Sequence, residues 1–207
     1  MLKKQKVAVL VSGGGTNLQA LIDAQASGKM PHCEIKLVIS NKPNVYALER
    51  ARQSGIKSYV VEKKNYDSLL HFDLALTNIL EENEIDIIVL AGFLTILGED
   101  FTSRYANRII NIHPSLIPSF CGSGYYGLRV HKAALDYGVK VTGATVHFVN
   151  EVPDGGKIIL QRAVYINDDD TPDSLQKRVM EEAEWIILPQ AVEMVCAERS
   201  EKNSEDN

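Results

Sequence analysis

KVAVLVSGGGTNLQALIDAQASG, residues 6–28, decides the fold. Its first part is a run of apolar, largely β-branched residues too continuous for a strand with one wet face, as in a parallel sheet covered on both sides. Gly13, Gly14 and Gly15 break the run. Apolar residues then recur at three- and four-residue intervals until Gly28, the expected helix stop. Strand, glycine turn and helix form the first unit of a doubly wound α/β domain.

The same alternation continues downstream. EIKLVIS (34–40), KSYVVE (57–62) and IDIIVLAGF (85–93) read as strands, and NVYALERARQSG (44–55) and NYDSLLHFDLALTNILEEN (65–83) as helices. RIINIHP (108–114) is a fifth strand, and SFCGSGYYGL (119–128) a glycine- and tyrosine-rich loop expected to be mobile. VKVTGATVHFVN (139–150) and GKIILQRAVYI (156–166), joined by the turn EVPDGG, predict an antiparallel hairpin extending the sheet. Thr171 and Pro172 are expected to cap and open a last helix running to about residue 198. The expectation is one domain over residues 1–199 and a disordered acidic tail over 200–207.

The chain has 207 residues, 45% of them hydrophobic and 24% charged, which is ordinary for a globular protein. A net charge of −5 argues against nucleic acid as a partner, so an anionic ligand must be met locally. Cys33, Cys121 and Cys196 form no C-x-x-C pair and read as reduced thiols of a cytoplasmic protein. No apolar run reaches membrane length.

The glycine loop sits where such sheets hold phosphate, on exposed N–H groups at a helix N-terminus. Leu18 stands where a dinucleotide fingerprint needs glycine, Ser40 and Asn41 stand where it needs an acid, and no Lys-Ser/Thr pair follows. A phosphate monoester held by Gly15, Thr16 and Asn17 remains, against the alternative of a tight turn with Thr16 as N-cap.

NIHPSLIP (111–118) places Asn111 and His113 on one face of a strand end, with Pro114 and Pro118 stiffening the segment beyond it. Asp154, in a Pro-Asp-Gly-Gly turn, could bring a carboxylate alongside, which favours the protonated imidazole and raises its pKa. An amide with an imidazolium suits stabilisation of oxygen charge at a carbonyl under attack, without a covalent nucleophile. His147, mid-strand among apolar neighbours, is expected to support the core or to hydrogen-bond Asp154 from behind. His32, His71 and His131 share no ligand spacing, so no metal is predicted. Glu181 and Glu184 share a helix face, read as solvated or as a pair for ribose hydroxyls.

On SGGGTNLQAL (12–21), VISN (38–41), VLAGFLTIL (89–97), NIHPSLIPSF (111–120), VTGATVHFV (141–149) and DGGKIILQ (154–161), the chain resembles the phosphoribosylglycinamide formyltransferase family, folate-dependent enzymes of purine synthesis. The resemblance implies a Rossmann-like, mostly parallel sheet with an antiparallel C-terminal extension. It implies transfer of the formyl group of 10-formyltetrahydrofolate to the glycyl amine of glycinamide ribonucleotide, in a monomer or weak homodimer. Asn111, His113 and Asp154 would be catalytic. Gly15, Thr16, Asn17 and Glu184 would bind the ribonucleotide. Leu94, Thr95, Ile96, Leu97, Asn111 and, through their backbone, Val149 and Asn150 would bind folate, with His147 and Thr145 behind them.

Leu69 and Thr95 stand where relatives carry arginine, leaving Lys63, Lys64 and Arg129 as candidate replacements. A formyl-folate hydrolase and methionyl-tRNA formyltransferase are rivals with the same trio. Those relatives add a domain, which a chain of this length would lack. A non-catalytic nucleotide- or folate-binding module on the same fold is a further rival.

Overall fold

β1 (Gln5–Val11) lies centrally in a seven-stranded sheet of order β3-β2-β1-β4-β5-β6-β7. Its alternate residues bury into opposite layers: Val7, Val9 and Val11 on one face, Ala8 and Leu10 on the other. This is why the run carries no polar alternation. The computed structural model describes residues 4–205.

β2 (Cys33–Ser40), β3 (Lys57–Val60), β4 (Ile87–Leu90) and β5 (Ile109–His113) extend the sheet in parallel. β6 (Val141–Phe148) runs antiparallel to β5, and β7 (Ile158–Tyr165) antiparallel to β6, as the hairpin pattern predicted. α1 (Thr16–Ala26) and α2 (Tyr46–Gln53) contribute Leu18, Leu21, Ala47 and Ala51 to one apolar layer. α3 (Leu69–Glu82) contributes Phe72, Leu76 and Leu80 to the other. Gly28 and Gly55 follow the ends of α1 and α2 with φ of 75° and 67°, the left-handed turn that glycine adopts most cheaply.

Two helices go beyond the sequence reading, α4 (Glu99–Arg104) and α5 (Leu128–Tyr137). α6 (Pro172–Val179) starts at the predicted Thr171 cap, with Thr171 and Ser174 hydrogen-bonding reciprocally. It runs through a π segment, Met180–Glu184, into α7 (Trp185–Glu205). The backbone therefore stays helical past residue 200, where the sequence predicts a disordered tail. Residues 206 and 207 lie outside the described residues.

β1 joins β2 on one side and β4 on the other, so the first crossovers run one way and later ones the other. The crevice at the strands' C-terminal ends is where such sheets place ligands. The glycine loop, the 92–97 segment and the end of β5 all converge there.

Candidate functional site

The β5–β6 register sets Asn111 opposite His147 and His113 opposite Thr145. Asn111 and His113 share the face opposite Ile110 and Ile112, and cross-strand neighbours on one face touch. Asn111 Nδ2 accordingly lies 3.1 Å from His147 Nε2. Thr145 holds the turn after His113: its hydroxyl donates to the Ser115 carbonyl at 2.7 Å and accepts from Ile117 N–H at 3.1 Å.

The turn after β6 brings in the carboxylate. Asp154 sits at φ 57°, in the left-handed region. A Cβ on Gly156 would fall 1.7 Å from the Phe148 carbonyl oxygen, so only glycine lets the turn close back on β6. Asp154 Oδ2 lies 3.5 Å from His113 Nδ1 and accepts from Gly122 N–H at 2.8 Å. Its Oδ1 is 3.5 Å from Asn111 Nδ2 and 3.6 Å from His147 Nε2. The trio that the sequence spreads from 111 to 154 meets in one place.

His113 is 4% exposed, and its Nε2–H donates to the Phe120 carbonyl at 2.9 Å. Both ring nitrogens thus face acceptors, an arrangement suited to a cation. Burial works against it: desolvation lowers the His113 pKa, while Asp154 and the Phe120 carbonyl pull it back up. The net shift is downward, correcting the expectation of a raised pKa, because the loss of water outweighs one carboxylate at 3.5 Å. For Asp154, burial pushes the carboxyl up. Interactions with His147, His113 and the Gly122 N–H outweigh it and hold the group below the usual carboxylate range.

The glycine loop borders the same cleft, through Thr16 and Asn17. Gly15, not Thr16, is the N-cap of α1, at φ 73°, and no side chain caps the helix, which removes the Thr16 cap alternative. A Cβ on Gly15 would sit 2.7 Å from Ala47 Cβ. The N–H groups opening α1 are left for an anion. Asn17 Nδ2 donates to Glu184 Oε2 at 2.6 Å, and its Oδ1 has no partner among the described residues. Glu184 is 6% exposed, so the solvated reading fails for it, and burial pushes its carboxyl up against the pull of Asn17. Glu181 faces Lys177 at the surface.

One cleft of about 650 Å³ joins these parts. Its wall includes Thr16, Asn17, Gln176, Met180 and Glu184 beside the glycine loop, the trio Asn111, His113 and Asp154, and the apolar Phe93, Leu94 and Ile96. Leu94 and Ile96 are 56% and 67% exposed, an apolar shelf for a flat ring. Four expected folate residues lie elsewhere. Thr95 accepts from Asn41 at 2.7 Å, and Leu97 packs into the layer beneath. Val149 and Asn150 line a separate hollow with Thr102 and Lys157.

Nor do Lys63, Lys64 or Arg129 line the cleft wall, where no lysine or arginine stands among the described residues. Lys64 pairs with Glu62 at 2.7 Å, and Arg129 lies over the Tyr126 ring at 4.8 Å. The 119–128 segment, expected to be mobile, is docked on the trio through Phe120 and Gly122. Sequence reasoning missed His131 and Gln176 in the wall. The sequence raises His131 only as a possible metal ligand, and nothing in its local pattern announces burial. Among the described residues no group of three or more His, Cys, Asp or Glu could hold a metal ion.

Residues 5–192 match the formyl transferase family. The phosphoribosylglycinamide formyltransferase of Haemophilus influenzae is 45% identical over 185 residues, covering 89% of this chain and 84% of that protein. The trifunctional purine biosynthetic protein adenosine-3 of Drosophila melanogaster is 46% identical over 194 residues, 93% of this chain. This chain spans only 14% of the length of that larger protein. Among solved structures, glycinamide ribonucleotide transformylase 1 from Symbiobacterium toebii superposes with a TM-score of 0.88 at 39% identity, over 95% of this chain and 89% of that one.

Proposed function

This chain belongs to the formyl transferase family, and from that premise we propose that it transfers the formyl group of 10-formyltetrahydrofolate to the glycyl amine of glycinamide ribonucleotide, in purine synthesis. The observation that carries the reading is the meeting of Asn111, His113 and Asp154 in one cleft with the glycine loop. The names and identities of the relatives support it.

The chemistry rests on these groups. The amine lone pair attacks the formyl carbon, and the carbonyl π electrons move onto oxygen. The Asn111 amide and the His113 ring N–H stabilise that oxygen, which takes the position now held by the Phe120 carbonyl. Burial disfavours the imidazolium in the free protein. Charge developing on the formyl oxygen adds a second anion beside the ring, so the cation is favoured most where the transition state needs it. The intermediate collapses by breaking the carbon–N10 bond. Asp154 takes a proton from the attacking nitrogen, which becomes strongly acidic once bonded to carbon, and that proton ends on N10.

At the glycine loop, the first N–H groups of α1 and the unpartnered Oδ1 of Asn17 suit the phosphate and sugar. The cytoplasm is the proposed setting. Cys33, Cys121 and Cys196 are free thiols, and among the described residues no helix is long and apolar enough to cross a membrane.

The deciding test mixes the protein with 10-formyltetrahydrofolate, with and without glycinamide ribonucleotide. Formylated ribonucleotide and free tetrahydrofolate should appear in equal amounts, and only with both present. Folate release without the amine would make the protein a hydrolase, and binding without either product would make it a binding module.

A further inference from the structure

His131 lies on α5 with 1% of its surface exposed, and neither ring nitrogen has a hydrogen-bond partner among the described residues. An imidazole removed from water without a partner is unfavourable, and native interiors satisfy nearly all such groups. A leucine or phenylalanine would fill the space without that cost. Yet the ring forms part of the wall of the cleft that holds His113 and Asp154. Burial, helped by the nearby His113, pushes its pKa down to about 4. The ring is therefore neutral at physiological pH, with one nitrogen to donate and one to accept. A neutral group that also both donates and accepts, a hydroxyl or a carboxamide, is its natural partner.

Its place in the fold says which part of the cleft it serves. α5 packs against α6, and α6 runs into the π segment that carries Met180 and Glu184. Met180 and Glu184 in turn touch Thr16 and Asn17 beside the glycine loop, at 3.8 Å and 2.6 Å. We propose that His131 hydrogen-bonds the sugar–glycinamide part of the amine substrate and helps select it. This rests on the formyl-transfer reading and extends it to a residue that serves binding and specificity instead of the bond changes.

The test compares full-length wild type, His131→Phe and His131→Asn by steady-state kinetics, calorimetric binding and thermal melting. His131→Phe should raise both KM and Kd for glycinamide ribonucleotide about tenfold, the scale of one lost hydrogen bond. KM for the formyl-folate should stay unchanged, and Tm should hold or rise as an apolar ring replaces an unpaired polar one. His131→Asn should recover part of the binding. Where the phenylalanine variant fails to fold, His131→Leu set against His131→Asn carries the same comparison. Unchanged ribonucleotide affinity, or an equal rise in both KM values with a lower Tm, would overturn the proposal and leave a packing role. Wild type without ribonucleotide-dependent transfer would bring down the functional reading itself. An active wild type with an indifferent phenylalanine variant would bring down this assignment alone.

Discussion

Asp154 Oδ2 stands 3.5 Å from His113 Nδ1, with the carboxylate lowered in pKa and the imidazole lowered too. The two shifts have different origins. For the carboxylate, hydrogen bonds and neighbouring rings defeat desolvation, whereas for the ring desolvation defeats the carboxylate. Burial thus disfavours the imidazolium while the surroundings favour the carboxylate anion; in the proposed reaction a second negative charge at the formyl oxygen would favour the ring's protonation.

Asp154→Asn keeps the shape of the side chain and removes its charge. Turnover should fall by about 10²–10³, with the fold intact by circular dichroism. Asn111→Ala should lose a similar factor, because the proposed reaction uses its amide as a donor to the developing oxyanion. Near-wild-type kcat in either variant would exclude that residue from the chemistry.

Asn17 and Glu184 form a buried pair at 2.6 Å, so removing one partner strands the other. Asn17→Ala should raise KM for the ribonucleotide and also cost about 1–3 kcal/mol of stability. That loss corresponds to several degrees in Tm for a chain of this size. Glu184→Gln preserves an acceptor for Asn17 and should leave Tm nearly unchanged. A rise in the folate KM alone would mean that the two substrate sites are assigned backwards.

Acid should weaken the fold through His131. Unfolded, an imidazole titrates near its ordinary 6.5; folded, this one titrates at about 4. The depressed group contributes fully above pH 6.5, and its contribution is lost as the pH falls towards the folded value. The shift corresponds to roughly 3 kcal/mol. His113 shifts in the same direction and adds to the effect. Urea midpoints between pH 7 and 4 should therefore decline less in His131→Phe than in wild type. Parallel profiles would show that the ring does not sit neutral and buried.

Gly15→Ala meets both a left-handed backbone, φ 73°, and Ala47 Cβ at 2.7 Å. It should cost about 1–3 kcal/mol and weaken ribonucleotide binding more than folate binding, because the strain falls on the loop itself. Equal loss of both affinities would indicate general loosening instead.

How much of this is legible in residue order depends on the distance over which each cause acts. β1 and β4 announce a covered parallel sheet by their unbroken apolar runs, and Gly28, Gly55 and Thr171 mark helix ends by local backbone chemistry. α4 is a six-residue helix, too short to show a stripe. α5 buries Val130, His131 and Ala134, and the polar residue among them hides its inner face. Asn111 and His113 are readable as a pair by strand spacing. That His147 touches Asn111 depends on the β5–β6 register, and that the His113 pKa is lowered depends on burial, neither of which is written locally. The resemblance assigns Thr95, Leu97 and the backbone at Val149 and Asn150 to folate, whereas residue order says nothing of their side-chain contacts, which are the 41–95 hydrogen bond, the core and a separate hollow.

The most direct test is titration of the His113 ring by nitrogen-15 NMR in wild type and in Asp154→Asn. The wild-type pKa should lie below 6.5 and fall further once the carboxylate is neutralised. An unchanged or higher value in Asp154→Asn would show that Asp154 does not support the proton on His113.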